Sequence, residues 1–196
     1  MVNATGLTQS NLPYTEPSMI ETPRLILREW RESDRAPFRR LNADPRVMEY
    51  FQAPLTPEES DRGMDRLQAH IARHGFGFFA AEIRDTAEFA GFIGIAHVPF
   101  QAHFTPANLN RWRLAEDYWN RGLATEGAAA IVKYGFGSLG LSQIVSFTAV
   151  ANLRSRRVME KLGMTHDVAD DFDHPHLPDG HTLRRHVLYR LTTPAR

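Results

Sequence analysis

The amino-acid sequence predicts one domain of the α/β (α+β) class with a mixed central sheet. Three observations carry this. Strand-like runs outnumber helix-like runs. Their connections mix hairpin-length turns with crossover-length links, so both antiparallel and parallel neighbours are needed. The length, 196 residues, suits a single domain that buries roughly 70% of its unfolded surface.

The elements follow in order. Residues 1 to about 20 are polar and contain Pro13 and Pro17, which reads as a loose arm, leaving residues 21–196 as the domain. A strand pattern opens at Arg24-Leu25-Ile26-Leu27-Arg28-Glu29-Trp30. Ser33 and Asp34 offer an N-cap for a helix over 34–43. Thr56-Pro57-Glu58-Glu59 reads as a cap with an N1 proline, and Met64, Leu67 and Ile71 mark the buried face of the helix behind it, to about Arg73. Gly75 and Gly77 end it. Strands are expected at Phe78–Arg84, Phe89–Val98 and near Asn110–Ala115, with a loop from Pro99 to Pro106. A helix over 123–138 buries Ala128, Ile131, Val132 and Phe136. A strand at Gln143–Val150 leads to a short helix, Leu153–Leu162, capped by Asn152 and ended by Gly163. A strand at Met164–Val168, a loop over 169–183 and a last strand at Arg184–Leu191 complete the chain.

Composition removes several functions. The chain has no Cys, so it has no disulfide framework, thiolate zinc site or cysteine nucleophile. Its 23 basic and 23 acidic side chains cancel, which argues against bulk electrostatic binding of nucleic acid. The basic set is lopsided: 21 are Arg and only Lys133 and Lys161 are Lys. No apolar run approaches the roughly 20 residues that span a bilayer. The N-terminus lacks a basic n-region and an apolar h-region. A cytoplasmic protein without membrane or nucleic-acid partners is expected.

The segment from Glu116 to Glu126 carries the chemistry. A strand, a glycine turn and a helix start make a recurrent anion-binding geometry, because the first helical N–H groups have no intrahelical partner and the helix dipole adds positive potential. Gly122 lacks a Cβ and Ala124 is small, so a phosphate can approach the backbone. Glu126 in the first turn suits the dipole. A plain strand–helix connection would read the same way, and the turn lacks the Gly-Lys-Ser/Thr end of a nucleotide triphosphate loop.

Trp112-Arg113-Leu114 followed by Tyr118-Trp119-Asn120-Arg121-Gly122-Leu123-Ala124-Thr125-Glu126 resembles the acetyl-CoA-binding motif of GCN5-related N-acetyltransferases (GNAT), and more narrowly their RimJ/RimL-type branch. The run from Phe147 through Asn152, Arg154, Ser155, Arg156 and Arg157 to Met164 is similar to the second half of that pattern, and Thr22-Pro23-Arg24-Leu25-Ile26-Leu27-Arg28 to its first strand. The resemblance covers residues 22–192. It implies a twisted, mostly antiparallel, splayed sheet flanked by helices, with acetyl-CoA (coenzyme A) as co-substrate and no metal. It implies that backbone amides of Arg121, Gly122, Leu123, Ala124 and Thr125 hold the pyrophosphate. It assigns main-chain groups of Arg113 and Leu114, and the side chain of Asn152, to the pantetheine, and places Ser155 near the thioester sulfur. Arg157, Arg156 and Arg121 are candidate phosphate contacts. The basic cluster Arg154, Arg156, Arg157 and Lys161 also reads as a solvated helix face. The sequence departs from the pattern at Leu109, where many relatives carry a Glu that handles the amine.

Attack of an amine on a thioester needs a neutral amine, a polarised carbonyl and a stabilised thiolate. The Leu114 N–H is the candidate for the carbonyl. Ser155 or Tyr118 could supply a hydroxyl, although Ser155 could instead bond its own backbone and Tyr118 could simply pack on the turn. For the base, His has the suitable ordinary pKa. His166, His174, His176, His181 and His186 crowd the C-terminal part. Asp173–His174 is the candidate oriented base or amine-recognition pair, with a pH limb expected near neutrality. A cation held by Asp171, Asp173, His174 and His176 and a polar loop docked through Phe172 are the alternatives. His97, His103, Trp30 and Phe51 are further acceptor-side candidates, each also explicable by packing. The expected activity is acetyl transfer from acetyl-CoA to a primary amine, of a small molecule or a protein N-terminus, by direct attack in a ternary complex. A non-catalytic acyl-CoA-binding or regulatory module is the rival. The resemblance permits a monomer or homodimer.

Overall fold

The computed structural model describes residues 19–193. Most of the expected N-terminal arm lies outside them. Met19 and Ile20 do not: with Glu21 they form the first strand, β1 (Met19–Glu21), where the sequence placed them in the arm.

The remaining elements are β2 (Leu25–Arg28), α1 (Arg35–Ala43), α2 (Pro57–His74), β3 (Phe78–Ile83), β4 (Phe89–His97), β5 (Asn108–Leu114), α3 (Leu123–Gly137), β6 (Gln143–Ala149), α4 (Leu153–Lys161), β7 (Thr165–His166), β8 (Phe172–Asp173) and β9 (Arg185–Thr192). The sheet runs β1-β2-β3-β4-β5-β6-β9-β7, with β8 added on β9. All neighbours are antiparallel except β5 and β6. Those two run parallel and share a single bridge, Leu109 with Val145, near the start of each strand. Beyond it they part, and the sheet splays.

Local chemistry explains the helix limits. Thr56 and Glu59 close a reciprocal capping box at the start of α2: the Glu59 N–H donates to Thr56 Oγ1 at 3.2 Å, and the Thr56 N–H donates to Glu59 Oε2 at 2.9 Å. Gly75 ends α2 in the left-handed region, φ 73°. The main core gathers Leu25, Leu27, Phe79, Ile93, Ile95 and Ile131 between sheet and helices. A smaller cluster, Phe104, Val145, Phe172 and Leu188, lies beyond the splay, so the 169–183 segment docks through Phe172. Within that segment, β8 pairs with β9 where the sequence pattern gave a loop.

Asp34 departs from its expected role. It makes no side-chain cap on α1. Its carboxylate takes both terminal nitrogens of Arg28, at 2.7 and 2.9 Å, and the Arg31 N–H at 2.7 Å. Arg28 Nε reaches Glu82 at 2.6 Å. All three ionic side chains are buried, so the bidentate pair carries an interior junction of β2, β3 and α1.

Candidate active site

The parting of β5 and β6 opens a cleft of about 630 Å³. Its floor is the diverging strands, one wall is the α3 turn with α4, and the other combines the loop after α1 with the β8–β9 region.

The α3 turn is set by backbone conformation. Asn120 and Gly122 both take positive φ, 58° and 78°. No side chain caps the helix, so the N–H groups of Leu123, Ala124 and Thr125, which line the cleft, are available to an anion. Glu126 serves as an anchor for this turn. It accepts from Thr22 Oγ1 at 2.7 Å, the Arg24 N–H at 2.8 Å and Arg24 Nε at 2.6 Å. Arg24 Nη1 then donates to the Arg121 carbonyl at 2.8 Å. Burial works to raise the Glu126 carboxyl pKa, but the Thr22 and Arg24 hydrogen bonds outweigh it and hold the group below its ordinary value. The Arg121 side chain does not line the cleft; its Nη1 donates to the Asp117 carbonyl at 3.5 Å.

On the α4 wall, Asn152 Oδ1 caps the helix through the Ser155 N–H at 3.2 Å, and Asn152 Nδ2 donates to Thr148 Oγ1 at 2.9 Å. The Ser155 hydroxyl has no hydrogen-bond partner among the described residues and lines the cleft, so the back-bonded alternative does not hold. Arg157 and Lys161 line the cleft as well. Arg156 points elsewhere, to the Tyr189 hydroxyl and the Val150 carbonyl. Arg154 crosses to Glu49 at 2.6 Å and lies over the Trp119 ring at 4.5 Å.

On the floor, Trp119 Nε1 donates to the Leu114 carbonyl at 2.8 Å, tying the turn to β5. Asn110 Nδ2 donates to the Ala128 carbonyl of α3, so Asn110, Trp112 and Leu114 share the α3 face. Leu109, Arg111 and Arg113 therefore face the other way. Arg113 stacks on Phe51 at 4.0 Å and donates to Asn42 Oδ1 at 2.5 Å. Of the proposed acceptor-side aromatics, Phe51 lines the cleft, while Trp30 is buried in the core and donates from Nε1 to the Phe78 carbonyl.

Three catalytic expectations are corrected by the geometry. Tyr118 lines the cleft, but its hydroxyl is turned away from the sulfur side: it donates to Glu88 Oε2 at 3.3 Å, and Glu88, beside the β3–β4 turn, lies outside the lining. Burial and the Glu88 charge push its pKa up, so it stays a committed donor. Asp173 does not orient His174: strand alternation in β8 buries Phe172 and turns Asp173 out to Arg184 and Arg185, each at 3.4 Å. His174 does line the cleft, but its Nδ1 accepts the His176 N–H at 3.3 Å. A neutral ring bonded in that way carries its proton on Nε2 and presents a donor. Burial, with the charges of His186, His176 and Arg111 added, pushes this ring down to about 4. The limb near neutrality is therefore not assigned to His174.

His186, one of the five C-terminal histidines but not the one singled out from the sequence, is a buried residue of β9 that also lines the cleft. Its Nδ1 lies 3.1 Å from the Arg184 carbonyl, which fixes the proton there and leaves the Nε2 lone pair available. Burial depresses its pKa, the Arg184 carbonyl opposes this, and the Arg111 charge adds to the depression. A pair that does link carboxylate to imidazole is Asp171–His166, at 2.7 Å, outside the cleft lining. His103 lies 3.4 Å from Asp170 and His97 packs among His70, His74 and Phe76, so neither faces the cleft. Among the described residues no group of three or more His, Asp or Glu could hold a metal ion.

A sheet parted between two parallel strands, with a glycine-started helix aimed into the gap, defines the acyl-CoA-dependent N-acetyltransferase class. The chain belongs to the acetyltransferase (GNAT) domain family, whose model matches residues 24–165. It is 31% identical over 140 residues to the FsC-acetyl coenzyme A-N(2)-transacetylase of Aspergillus fumigatus, a match spanning 65% of this chain and 56% of that protein's length. An acetyltransferase structure from Agrobacterium tumefaciens superposes with a TM-score of 0.73 at 27% identity, covering 95% of this chain and all of that one. RimL, a ribosomal L7/L12 alpha-N-protein acetyltransferase solved with coenzyme A, shares the fold at a TM-score of 0.70 and 17% identity, covering 89% of this chain and 97% of that one.

Proposed function

We propose that this chain transfers an acetyl group from acetyl-CoA to a primary amine, by direct attack within a ternary complex. The observation that carries this is the splay of β5 from β6 beside uncapped N–H groups at the start of α3. Acetyl-CoA would supply a thioester: the amine nitrogen bonds to its carbonyl carbon, the carbon–sulfur bond breaks, and sulfur leaves as thiolate.

The chain's own groups account for the rest. The amides of Leu123, Ala124 and Thr125 hold phosphate oxygens, with Arg157 and Lys161 adding charge. The Ser155 hydroxyl, without a hydrogen-bond partner among the described residues, is placed to donate a hydrogen bond to the departing thiolate. His186 Nε2 accepts the amine proton, while Arg184 holds the other ring nitrogen. With Leu109 buried where relatives often carry Glu, this imidazole takes the place of the carboxylate.

The test is CoA release, followed with a thiol reagent across a panel of amines. Amine-dependent release supports the reading. Tight acetyl-CoA binding with no release on any amine supports the binding-module rival instead.

A further inference from the structure

The cleft wall is one-signed. Among the described residues no Asp or Glu lines it, whereas six Arg or Lys do. Arg157 and Lys161 stand on the α4 wall beside the proposed phosphate site. Arg111 and Arg113 do not: they project from β5 to the face opposite α3, towards Phe51, His174 and His186.

Neither has an acidic partner among the described residues. Arg113 touches only the Asn42 amide oxygen and the faces of Phe51 and Phe92, and its Nε is sealed from solvent with no hydrogen-bond acceptor. Arg111 lies 5.3 Å from the Phe51 ring centroid and makes no ion pair among the described residues. Burial pushes both guanidinium groups down, and for Arg113 the like charge of Arg111 adds to it. Guanidinium does not deprotonate in proteins, so two half-buried charges stand in the cleft without a counter-charge among the described residues. Leaving a buried charge unpaired is costly unless something pairs it. His174 Nε2–H adds a third donor to the same side.

We propose that this side of the cleft is an anion subsite, and that the acceptor is a primary amine bearing a carboxylate seated on Arg111 and Arg113. The carboxylate accepts from the two guanidinium groups, with Phe51 stacked against them, and the amine is held towards His186. Polycationic amines are disfavoured by the same charges. The substrate assignment rests on the proposed acetyl transfer; the anion site does not.

The experiment has a kinetic arm and a binding arm. The kinetic arm compares alanine with alaninamide, Asp-Ala-amide with Asn-Ala-amide, and spermine. A preference of about tenfold or more in kcat/KM for the acid in either pair is expected, since a site built to bond a group rejects the analogue lacking it. The first pair reports an α-carboxylate and the second an acidic side chain at a peptide N-terminus. Arg111→Gln should collapse the preference to within about threefold at an unchanged melting temperature, and Arg111→Lys should keep part of it. The binding arm titrates N-acetylalanine and N-acetylalaninamide into CoA-loaded protein. Tighter acid binding without any turnover would remove the acetyl-transfer reading and keep the anion site. Equal use of acids and amides, or best use of spermine, overturns the inference and leaves acetyl transfer standing.

Discussion

Arg24 Nη1 donates to the carbonyl oxygen of Arg121 at 2.8 Å, across 97 residues of sequence. The same side chain holds Glu126 through Nε. The connection between β1 and β2 thus clamps both ends of the turn that starts α3, and the shape of the proposed phosphate site depends on a distant motif.

Arg24→Ala should therefore loosen the turn without touching the cleft. A hydrogen bond to a charged group contributes about 1.5–3 kcal/mol. Arg24 is half exposed, which reduces that. We expect acetyl-CoA affinity to fall by roughly tenfold, read by calorimetry. Because the folded carboxyl of Glu126 sits below its ordinary value, its stabilisation is present above the unfolded pKa and is lost as pH falls through the folded one. Glu126→Gln should flatten the acid side of the stability curve.

Gly122→Val tests the turn itself. A Cβ at Gly122 would meet only Arg24 Nη2, at 3.4 Å, so space does not exclude it. The cost is the left-handed φ, about 1–2 kcal/mol for a side chain, more for a branched one. The protein should fold and lose acetyl-CoA binding, measured by titration. Retained binding would refute the turn assignment.

Asp34→Ala removes the bidentate partner of buried Arg28. Breaking a buried pair on one side costs about 3–5 kcal/mol. In a domain of this size that lowers the melting temperature by on the order of 10 °C, read by calorimetry. A shift within error would show that the network contributes nothing net.

His186→Gln should lower kcat and remove an acid limb from its pH profile. That limb should lie below the ordinary His value of 6.5, because burial depresses the ring. His174→Ala should leave the limb in place. For His174, the folded pKa of about 4 lies below the ordinary 6.5, so the unfolded state binds more protons between them and stability falls as pH drops through that window. His174→Phe should reduce that fall.

Local signals made the fold legible. Thr56-Pro57 and Gly75 bracket α2, and Gly122 starts α3, because caps and positive φ are written in single residues. β1 and β8 escaped because strands of two or three residues carry no period to read. The cleft lining from Gly122 to Thr125, with Asn152 and Ser155, was legible for the same reason. On the acceptor side, side-chain direction depends on partners far along the chain. Asp34 looked like a cap until Arg28 claimed it. Asp173 looked like a partner of His174 until β8 turned it towards Arg184 and Arg185. The choice between His174 and His186 rests on which ring nitrogen meets a carbonyl and which meets an N–H.

Direct transfer in the splayed cleft is tested most directly by initial velocities over a grid of acetyl-CoA and amine concentrations. Intersecting reciprocal plots are expected, since the chain has no Cys to carry an acyl group and both substrates must be bound at once. Parallel plots, the mark of a covalent acyl-enzyme, or no amine-dependent velocity at all, would contradict it.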